Sequence, residues 1–303
     1  MLTLYQEALE QSPEHILIAE SAAITDVSLL ITGLTPSNED YYPTIVVSTL
    51  MSVIRDQSLT HLHATVIDAV MNIYTTLGLK CVPFLGKVIP GFLEVLRNSA
   101  QGREEGYFNQ LAVLVRTVRQ HIRPFLPQIT QVLSDLWPRV PSAHATMLSL
   151  IESIARCLEG EFKVFLAPLL PHILGVLDQD QTPRRAASER VLHAFLVFGS
   201  SAEEYMHLIL PVIIRMFERQ NQSQSIRKAA IETIGKLTKK VNISDFASRI
   251  IHPLSRVIAG NDVVLRHAAL ETLTALVFQL GPDYLIFIPM INKVIFELAS
   301  LDM

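Results

Sequence analysis

The sequence predicts an all-α fold, an α-solenoid in which antiparallel helix pairs stack on one another. Three observations predict it. A motif of eight residues recurs, a second apolar pattern recurs at a period of about 40 residues, and half of the residues are apolar while only 18% are charged. Such a chain is too hydrophobic to remain disordered, and a helical unit of this length must stack on its neighbours to bury its apolar face.

The eight-residue motif R-x-A-A-x-E-x-[VIL] begins at Arg184, Arg227 and Arg266, and its copies read RRAASERV, RKAAIETI and RHAALETL. Apolar residues follow each arginine at the spacing of one helix face. The alanine pair allows a neighbouring helix to approach closely. Each copy therefore predicts one helix of a repeating unit.

A second pattern, centred on a proline in most repeats, lies upstream of these helices. In every repeat the positions one before and two, five and six after the aligned residue are apolar, which places them on one face of a helix. Proline is tolerated in the first turn of a helix, so we predict that this amphipathic first helix opens each repeat with the proline in its first turn. The aligned residues are Ser48, Pro90, Pro127, Pro171, Pro211, His252 and Pro289.

The two patterns divide the chain into an N-terminal linker with room for one helix, at residues 1–42, and a repeat solenoid at residues 43–303. We expect the solenoid to be a right-handed superhelical stack. Its lone last helix would leave an apolar face open to water, so we expect the natural chain to continue beyond Met303. The predicted helix pairs lie near 45–78, 83–121, 122–159, 162–199, 203–241 and 245–281, and the lone helix begins at about 284.

Charge and cysteine content exclude several classes of protein. The net charge is −4 and the longest basic run is Lys239-Lys240, so nucleic acid is not an expected partner. Cys81 and Cys157 are the only cysteines, which indicates a reducing compartment. The longest apolar run, residues 164–177, contains two prolines and His172 and is shorter than the ~20 residues of a spanning helix. We expect a soluble protein without a transmembrane segment, in cytosol or nucleus.

The motif search predicts no catalytic, cofactor-binding or metal site in this chain. It finds no glycine-rich phosphate loop, no kinase catalytic loop and no GxSxG elbow. His61 and His63 are two residues apart, which points them to different faces of a helix, and no HExxH motif is present. An enzyme complete within this chain is therefore the least supported alternative.

Two basic stretches are candidate contact patches for an acidic partner. They are KLTKKV at residues 236–241 and the arginines of VLVRTVRQHIRPF at residues 113–125. The favoured alternative for both is a solvated helix face, since surface helices routinely carry such charges.

The period, the proline-led first helix and an Asp-then-Arg signature together resemble HEAT repeats. In that family an acidic residue in the turn and an arginine opening the second helix form a hydrogen-bonded ladder between repeats. Here an aspartate lies four residues before the arginine in two repeats, whereas Ser223 takes this place in a third, where we expect an interruption. Helix capping with solvated charges is the alternative. The residues expected to form the ladder or caps are Asp180, Arg184, Arg227, Asp262 and Arg266.

Several strings outside the helix cores resemble the middle HEAT region of the target of rapamycin (TOR) kinases. They include RDQSLTHLHATVIDA at 55–69 and LGLKCVPFLGKVIPGFLEVLR at 77–97, and the resemblance runs from about residue 33 to the end. Pro138 and Pro141 depart from the family pattern, so we expect that turn to differ.

The resemblance implies a segment of a large serine/threonine protein kinase that controls growth in response to nutrients. Its implied partners are a second TOR chain and adaptors of the Raptor or Rictor type. ATP and magnesium would belong to a kinase domain elsewhere in the parent protein. The implied location is the cytoplasm, with recruitment to lysosomal or vacuolar membranes through partners, or the nucleus. The alternative is a free-standing HEAT adaptor, such as a nuclear transport receptor or a phosphatase scaffold, which leaves RDQSL and GLKC unexplained.

Overall fold

The computed structural model describes residues 41–99, 102–180, 182 and 185–292. These residues form α-helices joined by 3₁₀ segments and turns, and they contain no strand. The all-α prediction is therefore confirmed. Most of the linker predicted at residues 1–42 lies outside the described residues, and its last two residues, Tyr41 and Tyr42, already belong to a helix. The chain divides into two compact units, Met1–Val95 and Leu96–Met303.

The described part of the first unit contains two complete helices and most of a third. These are α1 (Tyr41–Arg55), α2 (His63–Leu77) and α3 (Leu85–Arg97), whose last two residues lie past the unit boundary. Helices α1 and α2 pack against each other. A β-carbon on Gly91 of α3 would lie 2.5 Å from the terminal methyl of Met51 in α1, so a side chain at residue 91 would displace that methyl group.

The second unit consists of two layers of helices. Helices α5, α7, α9 and α11 contact one another in succession and form the first-helix layer. Helices α4, α6, α8, α10 and α12 do the same and form the second-helix layer. The helices are α4 (Glu104–Val118), α5 (Leu126–Leu136), α6 (His144–Leu158), α7 (Lys163–Gln179), α8 (Ala186–Phe198), α9 (Met206–Glu218), α10 (Gln224–Thr238), α11 (Ala247–Ile258) and α12 (Val263–Leu280).

Apolar stripes hold the layers together, as the sequence spacing predicts. In α10, for example, Ala230, Ile234 and Leu237 are fully buried, because three- and four-residue spacing places them on one face. Past α12, residues 281–287 form a 3₁₀ segment and residues 288–292 are helical. The rest of the predicted lone helix lies outside the described residues.

The placement of prolines in the first turn is wrong for most repeats. Pro127 and Pro289 do lie in a first turn, at the start of α5 and of helical residues 288–292, but Pro90, Pro171 and Pro211 lie inside α3, α7 and α9. The 3₁₀ segments that precede α3 and α9 lead directly into helical residues, so these helices begin well before their prolines. A proline at such a position removes one backbone donor from the helix.

A recurring turn ends five of the second helices. The residue after the helix has φ between 50° and 58°, and its N–H donates to the carbonyl four residues earlier. We call this the C-cap turn. Helix α10 differs, because Lys239 remains right-handed at φ −80°. The C-cap turns lie at Gly78, Arg119, Glu159, Gly199 and Gly281.

Candidate interaction surface

Asp262 lies where two neighbouring repeats meet. Its Oδ1 accepts hydrogen bonds from the backbone N–H groups of Val264 (3.0 Å) and Leu265 (3.1 Å), which caps α12. Its two carboxylate oxygens also accept from Nε2 of Gln224, 38 residues earlier, at 2.9 and 3.0 Å. The Gln224 amide, the two backbone donors and the charge of Arg227 hold the pKa of Asp262 below its ordinary value. One carboxylate thus caps a helix and joins two repeats.

The predicted ladder arginines fasten helices within their own repeat. Nε of Arg227 donates to the carbonyl of Phe217 at the end of α9 (2.8 Å). A terminal nitrogen of Arg266 likewise donates to the carbonyl of Gly260, just past α11 (2.8 Å), while Nε of Arg266 is buried with no hydrogen-bond partner. The hydrogen bond from the preceding repeat to Asp262 comes from Gln224, a residue that the sequence pattern did not single out.

Asp180 also joins two helices of its own repeat. It accepts hydrogen bonds from the N–H and hydroxyl of Thr182 (3.1 and 2.6 Å) and from those of Ser188 in α8 (both 2.9 Å). Burial alone would raise the pKa of Asp180, but these hydrogen bonds outweigh it and leave the pKa below its ordinary value. Its predicted partner Arg184 lies outside the described residues.

A cleft of about 420 Å³ opens beside Asp262. Its charged groups balance, because Arg227 and Arg256 face Glu218 and Asp262, and Arg256 forms an ion pair with Glu218. The cleft therefore carries no charge preference that would select a ligand.

A different group of side chains, which we call the Glu152 cluster, links α6 to α8. Glu152 is buried, with only 2% of its side chain exposed. One of its oxygens binds both Arg156 (3.3 Å) and Arg190 (3.1 Å), and the other lies 3.1 Å from Nδ1 of His193. A buried carboxylate is costly unless it is paired and hydrogen-bonded, and here three basic side chains from two neighbouring helices meet that need.

Basic residues of α4 and the turn that follows it extend the charged surface beyond this cluster. Arg116 is exposed and donates to the hydroxyl of Ser153, the neighbour of Glu152, at 3.1 Å. Arg116, Arg119 and Arg156 all lie close enough to the Cys157 thiol to act on it by charge. Burial nevertheless raises the pKa of Cys157 above its ordinary value, so this thiol is not activated as a nucleophile.

Three other basic residues of the predicted patches, Lys236, Lys240 and Arg123, are bound within the stack. Lys240 donates to the carbonyl of Leu196 in α8 (2.6 Å), and Lys236 lies 3.5 Å from Glu232 on its own helix. Arg123 forms an ion pair with Glu161. The KLTKKV stretch therefore offers fewer free donors than the arginines around Glu152.

Side chains suited to catalysis or metal binding do not converge in the part of the chain that the structure describes. No three His, Cys, Asp or Glu residues there are placed to hold a metal ion. His63 contacts the carbonyl of Asp56 (3.2 Å), His207 contacts that of Glu204 (2.9 Å), and the ring of His172 lies 6.0 Å from that of Trp137. These histidines have packing or capping roles.

Two helical stretches, Pro141–Gln179 and Val263–Asn292, have the length and hydropathy of a membrane span. The first joins α6 to α7 across the C-cap turn at Glu159, and the second continues α12 past the turn at Gly281. Helices α6, α7 and α12 each pack against other helices of the two layers. Only 39% of the most apolar window in the first stretch and 17% of that in the second are buried, and apolar side chains such as Phe278, 84% exposed, face away from the stack.

The chain has relatives across most of its length. It is 40% identical over 276 residues to the serine/threonine-protein kinase TOR2 of Saccharomyces cerevisiae and 43% identical over 260 residues to the serine/threonine-protein kinase tor1 of Schizosaccharomyces pombe. These alignments cover 91% and 86% of this chain. The chain is a TOR-family sequence. Residues 3–119 also match the family model described as the serine/threonine-protein kinase mTOR domain.

This TOR-family chain spans 11% of the length of each of these two kinases, and it corresponds to a helical region outside their kinase domain. Among solved structures it is similar to importin beta, with a TM-score of 0.57 over 86% of this chain and 36% of that one. The sequence identity is 13%, so this likeness bears on the fold alone. It identifies the TOR-family segment as an α-solenoid.

Proposed function

We propose that this chain is a non-catalytic scaffold segment of a TOR-type serine/threonine protein kinase, and that it mediates assembly of the dimer and of adaptor subunits in nutrient and growth signalling. The proposal rests on one observation: 91% of this chain aligns with a TOR kinase at 40% sequence identity. The described part of the chain is also a stack of helices. A stack of this kind presents an extended surface made of many helices, which suits protein partners.

The wider setting belongs to the same proposal. ATP and magnesium would bind in a kinase domain of the parent protein, and phosphoryl transfer would take place there. The partners of this segment would be a second TOR chain and Raptor- or Rictor-type adaptors. Its location would be cytoplasmic, with recruitment to lysosomal or vacuolar membranes through those partners, or nuclear.

Affinity capture of the tagged natural protein from cells tests the proposal. The expected result is recovery of a second TOR chain together with a Raptor-like or Rictor-like protein. Recovery of nuclear transport factors or phosphatase subunits without any of these proteins would contradict it and would favour a free-standing adaptor.

Two separate substitutions in the natural protein, one at a buried and one at an exposed residue, test whether this segment mediates assembly. Ile234 is fully buried in α10, whereas Leu208 of α9 is 46% exposed. Ile234→Asp should reduce the recovery of adaptors or of the second chain, whereas Leu208→Asp should not. Proteolysis would first show that Ile234→Asp opens the helical stack. If the opened protein still recovered the adaptors and the second chain in full, the segment would have no scaffold role.

A further inference from the structure

We propose that the arginine row formed by Arg116, Arg119, Arg156 and Arg190 binds an acidic, extended segment of a protein partner. This inference rests on the proposed function in one respect only, namely that the partner is a protein. The contacts, charges and repeat positions of these residues carry it.

The first step is the local charge. Four arginines of the row are opposed within the cluster by a single carboxylate, that of Glu152, which binds Arg156 and Arg190. Within the row and the Glu152 cluster four arginines thus stand against one carboxylate, in a chain whose net charge is −4. Positive charge is therefore concentrated on this surface although the protein as a whole is negatively charged. A surface of one charge attracts ligands of the opposite charge.

The second step is pre-organisation. Glu152 is buried and fixes Arg156 and Arg190 through one oxygen atom, yet these side chains remain 55% and 34% exposed. A guanidinium group has five N–H donors, so most of them stay available to a ligand. Because Glu152 already holds Arg156 and Arg190 and Ser153 holds Arg116, binding costs less side-chain entropy than it would for free surface arginines.

The third step is the register of the repeats. Arg116 and Arg156 each lie three residues before a C-cap turn, at Arg119 and Glu159, so they occupy the same place on successive repeats. Leu196 takes that place before the next C-cap turn, at Gly199. The four arginines of the row lie on α4, the turn after it, α6 and α8, and the Lys240 ammonium that binds the Leu196 carbonyl continues the positive charge beyond them.

These dimensions specify the ligand. Packed helices lie about 8–10 Å apart, and an extended peptide in the polyproline II conformation has three residues per turn with a rise of about 3.1 Å per residue. Carboxylates on every third residue of such a peptide would therefore lie on one side, about 9 Å apart, and would meet successive arginines. Nucleic acid fits less well, because a chain with a net charge of −4 and no basic run longer than Lys239-Lys240 gains little affinity from counterion release.

A peptide-binding measurement on the full chain tests the proposal. The probe is a fluorescent nine-residue peptide with Glu at positions one, four and seven, and the control peptide carries Gln at these positions. We expect the Glu peptide to bind at least about tenfold more tightly than the Gln peptide, with an affinity that falls as salt is added. Equal binding of the two peptides would overturn the proposal.

Substitutions then locate the site. Arg116→Gln combined with Arg156→Gln should weaken binding of the Glu peptide at least about tenfold, while Arg249→Gln, at an exposed position of α11, should leave it unchanged. Circular dichroism of each variant checks that the helices remain. If the folded double variant binds normally, or if the chain binds phosphatidylserine vesicles and not the Glu peptide, the proposal fails. The measurement needs no TOR chain or adaptor, so it can fail while assembly of the natural protein is intact.

Discussion

Gly235 of α10 lies directly against Thr272 of α12. A β-carbon on Gly235 would be 2.8 Å from Oγ1 of Thr272 and 3.3 Å from its Cα. The Thr272 hydroxyl donates to the carbonyl of Ile231 (3.0 Å), so it cannot rotate away without breaking that hydrogen bond. The closest approach of these two second helices therefore depends on the absence of a side chain at residue 235.

We predict that Gly235→Ala lowers the free energy of unfolding by about 1–3 kcal/mol, the usual cost of overpacking, even though alanine favours a helix by about 1 kcal/mol over glycine. Gly175 of α7 is the matched control, since the nearest atom to an added β-carbon there is 3.9 Å away on the flexible Gln179 side chain. Gly175→Ala should stabilise. Urea unfolding measures the stability of both variants. A Gly235→Ala variant that is more stable than the wild type would contradict the close contact.

Ile234 is fully buried in the second-helix layer. Ile234→Asp would place an unpaired charge between helices, and we expect a loss of several kcal/mol. Leu208→Asp, at a position that is 46% exposed, should cost about 1 kcal/mol or less. Thermal unfolding measures both variants. An unchanged midpoint for Ile234→Asp would show that this helix face is not buried.

The C-cap turn at Glu159 holds a residue with a β-carbon at φ 50°, a conformation that costs most residues about 1–3 kcal/mol. Glu159→Gly should relieve this strain. Because glycine loses more conformational entropy on folding, the net gain in the free energy of unfolding should be about 1 kcal/mol. Glu159→Gln keeps the β-carbon and should change little.

The reverse substitution checks the same strain. Gly199 has φ 52°, and nothing lies within 4 Å of an added β-carbon, so Gly199→Ala should destabilise through the backbone alone. Chemical denaturation of these three variants provides the comparison. A Glu159→Gly variant that is less stable than Glu159→Gln would mean that the turn tolerates a side chain.

Asp180 makes stability depend on acid pH. Its folded pKa lies below the ordinary value of 3.8, so the folded state binds a proton less readily than the unfolded state. The stabilisation is complete above about pH 5 and is lost as the pH falls through the folded pKa. The difference in thermal midpoint between the wild type and Asp180→Asn should thus be constant from about pH 5 to 8 and shrink below about pH 4.

Ser188→Ala supplies the control for this pH profile. It removes one side-chain donor to Asp180, so the folded pKa of Asp180 should rise toward its ordinary value and the acid-dependent loss should become smaller. A constant difference between the wild type and Asp180→Asn down to pH 2 would rule out the contribution assigned to this carboxylate.

Glu152→Gln tests the buried carboxylate of the Glu152 cluster. The amide keeps the shape but loses the charge that binds Arg156 and Arg190, and we expect a loss of about 1–3 kcal/mol. Glu105→Gln, on the exposed face of α4, should cost less than about 0.5 kcal/mol. If the two variants unfold at the same denaturant concentration, Glu152 does not hold these helices together.

The helices could be predicted because burial of one face imposes its spacing on the sequence, as Ile234 and Leu237 illustrate. The Glu152 cluster could not, because a charged residue on a helix has the same local pattern whether water or a neighbouring helix surrounds it. One signal was available: Arg190 and His193 lie 38 and 41 residues after Glu152, close to the repeat length, so stacking places opposite charges together.

The positions of several C-cap turns could also have been predicted from the sequence. Gly78, Gly199 and Gly281 recur at multiples of about 40 residues, and glycine favours the positive φ that this turn requires. Arg119 and Glu159 conceal the pattern, since neither residue type indicates such a conformation. The prolines were misplaced for a different reason, because apolar spacing defines the face of a helix and not the residue at which it begins.

Because the principal contacts of the helices in the second unit are with helices of the same or the adjacent repeats, cooperativity should decay along the stack. One end can open in hydrogen exchange while the other stays protected. A ligand held at α4 to α8 would then rigidify its own neighbourhood and leave α11 and α12 to respond to a different signal.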